Sequence, residues 1–157
     1  MHYTEAGLAR LQEEDRVIEI RAYDTVYGVW KYFTVWEEQM NLERESYCLI
    51  GTLEAWNAMC QYFGREKMIP VYIEVEDGTR LIRAVERERT QEHPGYEELC
   101  RRFLADEEDF SEEKLQEAGI QRRFENRDLE ICLNEIQDFI RSERETNNRA
   151  EHPEPQA

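Results

Sequence analysis

The segment IPVYIEVEDGTRLIRAV, residues 69–85, constrains what this chain can fold into more than any other stretch. An Asp-Gly pair between two apolar runs is a strong hairpin signal, because a two-residue turn needs the positive φ that glycine adopts without strain. Turning at Asp77-Gly78 sets a register in which Val75 faces Arg80, Ile73 faces Ile82 and Val71 faces Ala84. One face is then mostly apolar, while Tyr72, Glu74 and Arg83 lie on the other. The pattern predicts an antiparallel hairpin over residues 69–86, with Pro70 at the start of its first strand or at an edge.

Other elements follow from periodicity and caps. A short helix is expected over residues 3–14, with Thr4 as cap and Tyr3 against Leu8 as a hydrophobic staple. Residues 16–23, RVIEIRAY, alternate as a strand, with Ile18, Ile20 and Ala22 opposite Glu19 and Arg21. Residues 24–40 fit either period: alternation places Trp30, Tyr32, Thr34 and Trp36 together, and a helix would align Val26, Trp30, Phe33 and Met40. Their β-branched and aromatic density favours a strand, with Tyr27-Gly28 closing a turn from the strand before. Thr52 caps a helix that runs to Phe63 and stops at Gly64. After His93-Pro94-Gly95 comes a helix whose stripe is Tyr96, Leu99, Cys100, Phe103 and Leu104, with Glu97–Arg101 and Glu98–Arg102 as i,i+4 pairs on a solvated face. A short helix over residues 111–118 and a last helix complete the set. The last one begins between residues 121 and 126, buries Leu129, Cys132, Leu133, Ile136, Phe139 and Ile140, and ends near Glu143. The fold class expected is α+β: a small antiparallel sheet packed against three or more helices. Residues 1–146 form one domain, and 147–157, with almost nothing apolar to bury, a disordered tail.

Charge narrows the partners. The chain carries 36 acidic and 20 basic residues, a formal −16 over 157 residues, yet 40 % of it is hydrophobic. That is enough apolar surface for a core, so high charge does not imply disorder. An excess of this size opposes binding to DNA, RNA or an acidic membrane and favours a basic protein partner. The 17 arginines outnumber the 3 lysines, and their planar forks suit pairing with the chain's own carboxylates. The N-terminal residues turn acidic where a secretory leader is apolar, so a cytoplasmic protein is expected.

Catalytic signatures are sparse. Cys48, Cys60, Cys100 and Cys132 have neither C-x-x-C spacing nor a histidine at ligand distance, and their apolar neighbours mark them as reduced core residues. His93, before a proline at a helix start, fits a turn position. The seven glycines are scattered, so no phosphate cradle is present. No catalytic, metal-binding or cofactor-binding residue is singled out, and no cofactor is expected. Two carboxylates converging in a cleft remain compatible with acid–base or metal-dependent catalysis, but no spacing marks a pair.

Two features carry binding potential. Asp106, Glu107, Glu108, Asp109, Glu112 and Glu113 place six carboxylates within eight positions around a helix start. As a structural feature they are a solvated linker with helix N-terminal charges stabilised by the dipole; as a functional one they are a docking surface for arginine and lysine. Trp30 and Trp36, in an aromatic run, are core residues in a central strand and interface anchors at an edge. Together they support a non-catalytic, acidic protein-binding module: an inhibitor that imitates nucleic acid and occupies the nucleic-acid-binding surface of a basic protein. The alternatives are a small carboxylate-dependent or metal-dependent enzyme and a homo-oligomeric structural module.

Overall fold

The computed structural model describes residues 4–37 and 41–151, with backbone alone for residues 147–151. The expected staple through Tyr3 lies outside the described residues. The order of elements is α1 (Glu5–Glu13), β1 (Val17–Thr25), β2 (Gly28–Val35), α2 (Leu53–Phe63), a 3-10 turn (Arg65–Lys67), β3 (Tyr72–Glu74), α3 (Asp77–Arg89), α4 (Tyr96–Asp109), α5 (Glu112–Glu117), β4 (Arg123–Glu125) and α6 (Leu129–Glu151). The fold is α+β, with a small antiparallel sheet packed against several helices. That sheet is the β1–β2 hairpin, closed by the two-residue turn Val26-Tyr27, one residue earlier than the Tyr27-Gly28 turn expected, because Gly28, at φ +106°, already pairs with Thr25. Residues 28–35 are therefore strand, as their β-branched and aromatic content predicts.

Three helices hold the hairpin. Lys31 reaches Glu5 of α1 at 2.8 Å, Arg21 donates to Thr52 at the start of α2, and the Val26 N–H donates to Glu98 of α4. The face bearing Glu19 and Arg21 is the covered one: their side chains are only 6 % and 12 % exposed, whereas Ile20 on the other face is more than a third exposed.

The hairpin expected over residues 69–86 does not form. Only Tyr72–Glu74 is strand, and it pairs in parallel with Arg123–Glu125. Asp77 and Gly78 open helix α3, because the Glu76 carboxylate accepts from the N–H groups of Gly78 and Thr79 at 2.9 and 2.8 Å. Those bonds satisfy amide donors that every helix start leaves open. Tyr72 stacks on Phe110 on one face of the parallel pair, and Phe124 packs against Phe139 of α6 on the other, where Ile73 stays half-exposed.

The core joins α2 to α5. Leu53, Trp56, Leu115, Ala118 and Ile120 are buried together, with Cys60, Met68, Tyr72 and Phe110 against them. Thr52 and Gly64 bound α2 as its sequence predicts. Several burial expectations need correction. Cys48 and Cys100 are exposed and Cys60 half-buried, so Cys132 alone of the four cysteines is a buried core residue. The stripe of α4 buries none of its residues, and of the six residues in the α6 stripe only Cys132 is buried, while Leu129 and Leu133 stand exposed. On α4, Glu98 pairs with Arg101 at 2.7 Å, one position short of the i,i+4 partner expected. Helix α6 starts at Leu129, the first residue of its apolar stripe and later than the start expected between residues 121 and 126, because residues 123–125 are drawn into the parallel pair. It also continues to Glu151, through the first residues of the expected tail; residues 152–157 of that tail lie outside the described residues. Among the described residues, no helix is long and apolar enough to cross a membrane.

Candidate functional site

The six carboxylates straddle the α4–α5 junction, and the end of the helix on which they fall matters. Asp106, Glu107, Glu108 and Asp109 form the entire last turn of α4, which contains no basic residue. They sit at the negative end of the helix dipole, so the sequence expectation of a stabilised helix start holds only for Glu112 and Glu113, in the first turn of α5. Four like charges in one turn also repel one another. Burial pushes the Asp106 carboxyl above its ordinary value, and Asp109 in the same turn adds to the shift against the pull of Arg80 and Arg102.

Part of this charge is answered from other elements. Arg80 of α3 lies over the Phe103 ring, 4.2 Å from its centroid, and pairs with Glu107, with Asp106 at 4.0 Å and with Asp77 at 3.4 Å. Lys114 stands 3.8 Å from Asp109. Arg123 of β4 bridges Glu112, at 2.5 and 2.6 Å, and Glu74 of β3, at 2.9 Å. Those hydrogen bonds hold the Glu112 carboxyl below the usual glutamate range and raise the Arg123 guanidinium. Glu108 and Glu113 are exposed and enter no ion pair among the described residues. Arg80 and Arg123 are the site residues that the sequence reading missed. Asp77 and Arg80 at i,i+3 on a helix are a detectable signal, but only once residues 77–89 are read with helical spacing.

The two tryptophans do not join the acidic turn. Trp30 pairs with Tyr23 across the hairpin, 48 % exposed, with Tyr32 beside it. The hairpin tip meets the N-terminal end of α4 through Val26 and Glu98, whereas the carboxylates occupy its C-terminal end. A helix of 14 residues separates the two by about 20 Å. Trp36 belongs to a separate ring cluster with Phe63 and Tyr62, at 5.5 and 6.5 Å. This cluster lines an open depression of about 510 Å³ with Leu42, Glu43 and Lys67. No group of three or more His, Cys, Asp or Glu among the described residues is placed to hold a metal ion. His93 is exposed in the α3–α4 connection.

The chain matches no family model, and comparison with curated proteins and with solved structures finds no similar protein.

Proposed function

We propose that this chain is a non-catalytic binding module whose partner is a basic protein, and that it acts by occupying that protein's nucleic-acid-binding surface. One observation carries the reading: the last turn of α4 is four carboxylates with no base, at the helix end where anions are least favourable. A sequence selected only for a stable helix would place bases there. Carboxylates spaced along α4 and α5 offer a basic groove the kind of charge that phosphates offer, and such a field speeds encounter and sets register more than it adds affinity. Glu108 and Glu113 are available for direct pairing, while Trp30 supplies a half-exposed aromatic anchor of the kind that dominates interfaces.

The test is an affinity capture from host lysate at low and moderate salt, using the wild type and a variant with all six acids changed to Asn or Gln. The expected outcome is a basic, nucleic-acid-binding protein retained by the wild type, released by salt and lost from the variant. The purified chain should then displace an oligonucleotide from that protein. Equal retention by both baits, or retention without displacement, rejects the reading.

A further inference from the structure

We propose that the depression beside Trp36 is a small-molecule site for a free amino acid with an aromatic side chain, bound as its zwitterion. The rings of Trp36, Tyr62 and Phe63 form one cluster there, with centroids 4.8 to 6.5 Å apart. Leu42 adds to the apolar lining, and Glu43 and Lys67 bring one charge of each sign to the same depression. Its volume of about 510 Å³ falls within the range of ordinary ligand clefts.

The main chain behind these residues is held without an occupant. Trp36, just past β2, donates its N–H to the Arg16 carbonyl at 2.8 Å, and its own carbonyl accepts from the Arg16 side chain at 3.3 Å. Tyr62 and Phe63 end α2, and the 3-10 turn Arg65–Lys67 after Gly64 brings Lys67 back beside them. Asn41 folds the loop that supplies Leu42 and Glu43. Its side-chain oxygen accepts from the Glu43 N–H at 3.0 Å, and its carbonyl from the N–H groups of Arg44 and Glu45 at 3.2 and 2.9 Å. The Tyr47 hydroxyl closes that loop, accepting from the Asn41 N–H and donating to Glu45, both at 3.0 Å. Loops ordered beforehand cost a ligand little affinity when it binds.

The two charges select the class of ligand. Glu43 and Lys67 line one depression, yet neither enters an ion pair among the described residues, with the other or with a third group. A simple cation is repelled by Lys67, and a simple anion by Glu43 and by the formal −16 of the chain. A neutral apolar molecule leaves both charges without a partner. A zwitterion answers both: its ammonium pairs with Glu43 and its carboxylate with Lys67, through charge-assisted hydrogen bonds. In an amino acid those two groups share one carbon, so the headgroup bridges a gap too wide for a direct Glu43–Lys67 pair. The rings then receive the side chain, a fourth ring joining a cluster whose members favour offset and edge-on contacts. The site uses neither Trp30 nor any of the six carboxylates around the α4–α5 junction, so it stands or falls apart from the binding of a basic protein.

Isothermal titration of the full chain with L-phenylalanine at neutral pH tests this, beside analogues that each remove one part of it. Phenethylamine lacks the carboxylate, 3-phenylpropionate the ammonium, N-acetyl-L-phenylalanine amide both charges, and glycine the ring. Glycine betaine keeps both charges but offers the rings a quaternary ammonium instead of a fourth ring. L-phenylalanine should saturate one site, and every analogue should bind at least about tenfold more weakly. Glu43→Gln should weaken phenylalanine about tenfold without weakening 3-phenylpropionate, and Lys67→Met should weaken it as much without weakening phenethylamine. Both side chains are exposed, so circular dichroism should be unchanged in either variant. Absence of saturable binding, an amide or a betaine that binds as tightly as phenylalanine, or a charge variant with unchanged affinity for phenylalanine overturns the proposal.

Discussion

Trp56 of α2 donates its indole N–H to the main-chain carbonyl of Ala118, 3.1 Å away, a bond that helps tie the first half of the chain to the second. The same carbonyl accepts from Arg65 at 2.9 Å, and the Arg65 guanidinium lies over the Trp56 ring, 4.7 Å from its centroid. Indole, guanidinium and carbonyl thus form one closed set at the edge of the core, with Trp56 buried and Arg65 exposed. Trp56→Phe removes the donor and part of the ring, and should cost about 1–2 kcal/mol. Trp56→Ala should cost about 3–5 kcal/mol. Urea midpoints at constant m-value check both, and equal losses would show that the ring adds nothing beyond the bond to Ala118.

Glu19 and Arg21 meet at 2.8 Å on the covered face of β1, with Thr34 donating to Glu19 at 2.7 Å. Removing only the base strands a carboxylate that is almost fully covered. Arg21→Ala should therefore destabilise by about 3 kcal/mol, and Glu19→Met with Arg21→Met by much less. Chemical denaturation of the single and double variants decides it; a double variant as damaged as the single one contradicts the account.

Gly78 distinguishes helix from hairpin. In a two-residue hairpin turn it would need positive φ, and alanine there would be strained. In α3 it has ordinary helical geometry, and a Cβ would meet only the Glu76 carboxylate oxygens at 3.1 and 3.3 Å, the far end of a flexible side chain. Gly78→Ala should raise stability by about 0.5 kcal/mol. A loss of thermal stability on that substitution would favour the hairpin.

Acid should unfold the protein in a window set by three glutamates. Glu76 is held below the ordinary range by the N–H groups of Gly78 and Thr79, Glu98 by Arg101 and Glu112 by Arg123. A carboxyl depressed in the folded state adds stability above its unfolded pKa and loses it as pH falls through the folded one. Asp106 has the opposite sign: its carboxyl is raised, chiefly by burial, so its protonation relieves the α4 terminus. Stability should hold or rise slightly as Asp106 takes up its proton, then fall below the ordinary glutamate range. Urea midpoints against pH test this, and Glu112→Gln should flatten the acid limb.

Reversing one charge at the α4 terminus separates stability from binding. Glu108→Lys places a cation at the negative end of the dipole and should stabilise by a few tenths of a kcal/mol. The same change should slow association with a basic partner and flatten its salt dependence. A variant that gains stability and keeps its association rate removes Glu108 from the docking surface.

How much of this was legible depended on whether the deciding contact is local. The β1–β2 hairpin was visible because alternation, aromatic density and a turn signal at Tyr27-Gly28, one residue past the actual turn, all act within twenty residues. Helix α2 was visible because Thr52 and Gly64 mark its ends. Residues 71–85 were not, since Ile73, Val75, Leu81, Ile82, Ala84 and Val85 fit a period of two and a period of 3.6 about equally well. What decides there is the Glu76 carboxylate at two amides, together with a β3 partner that lies in a distant part of the sequence. The acidic run was obvious as composition, but its meaning turned on where α4 stops. That helix ends at Phe110 without the glycine that marks so many helix ends, so the four acids fell on the wrong side of the expected boundary.

The parallel pairing of Ile73 with Phe124 joins positions about fifty residues apart, and everything from α3 to α5 lies inside the loop it closes. The β1–β2 hairpin closes over two residues, so it pays almost no such entropy and can zip early. The two sheets therefore differ in folding order: one is a local seed, and the other is a clasp that fastens only after the helices between its strands have settled.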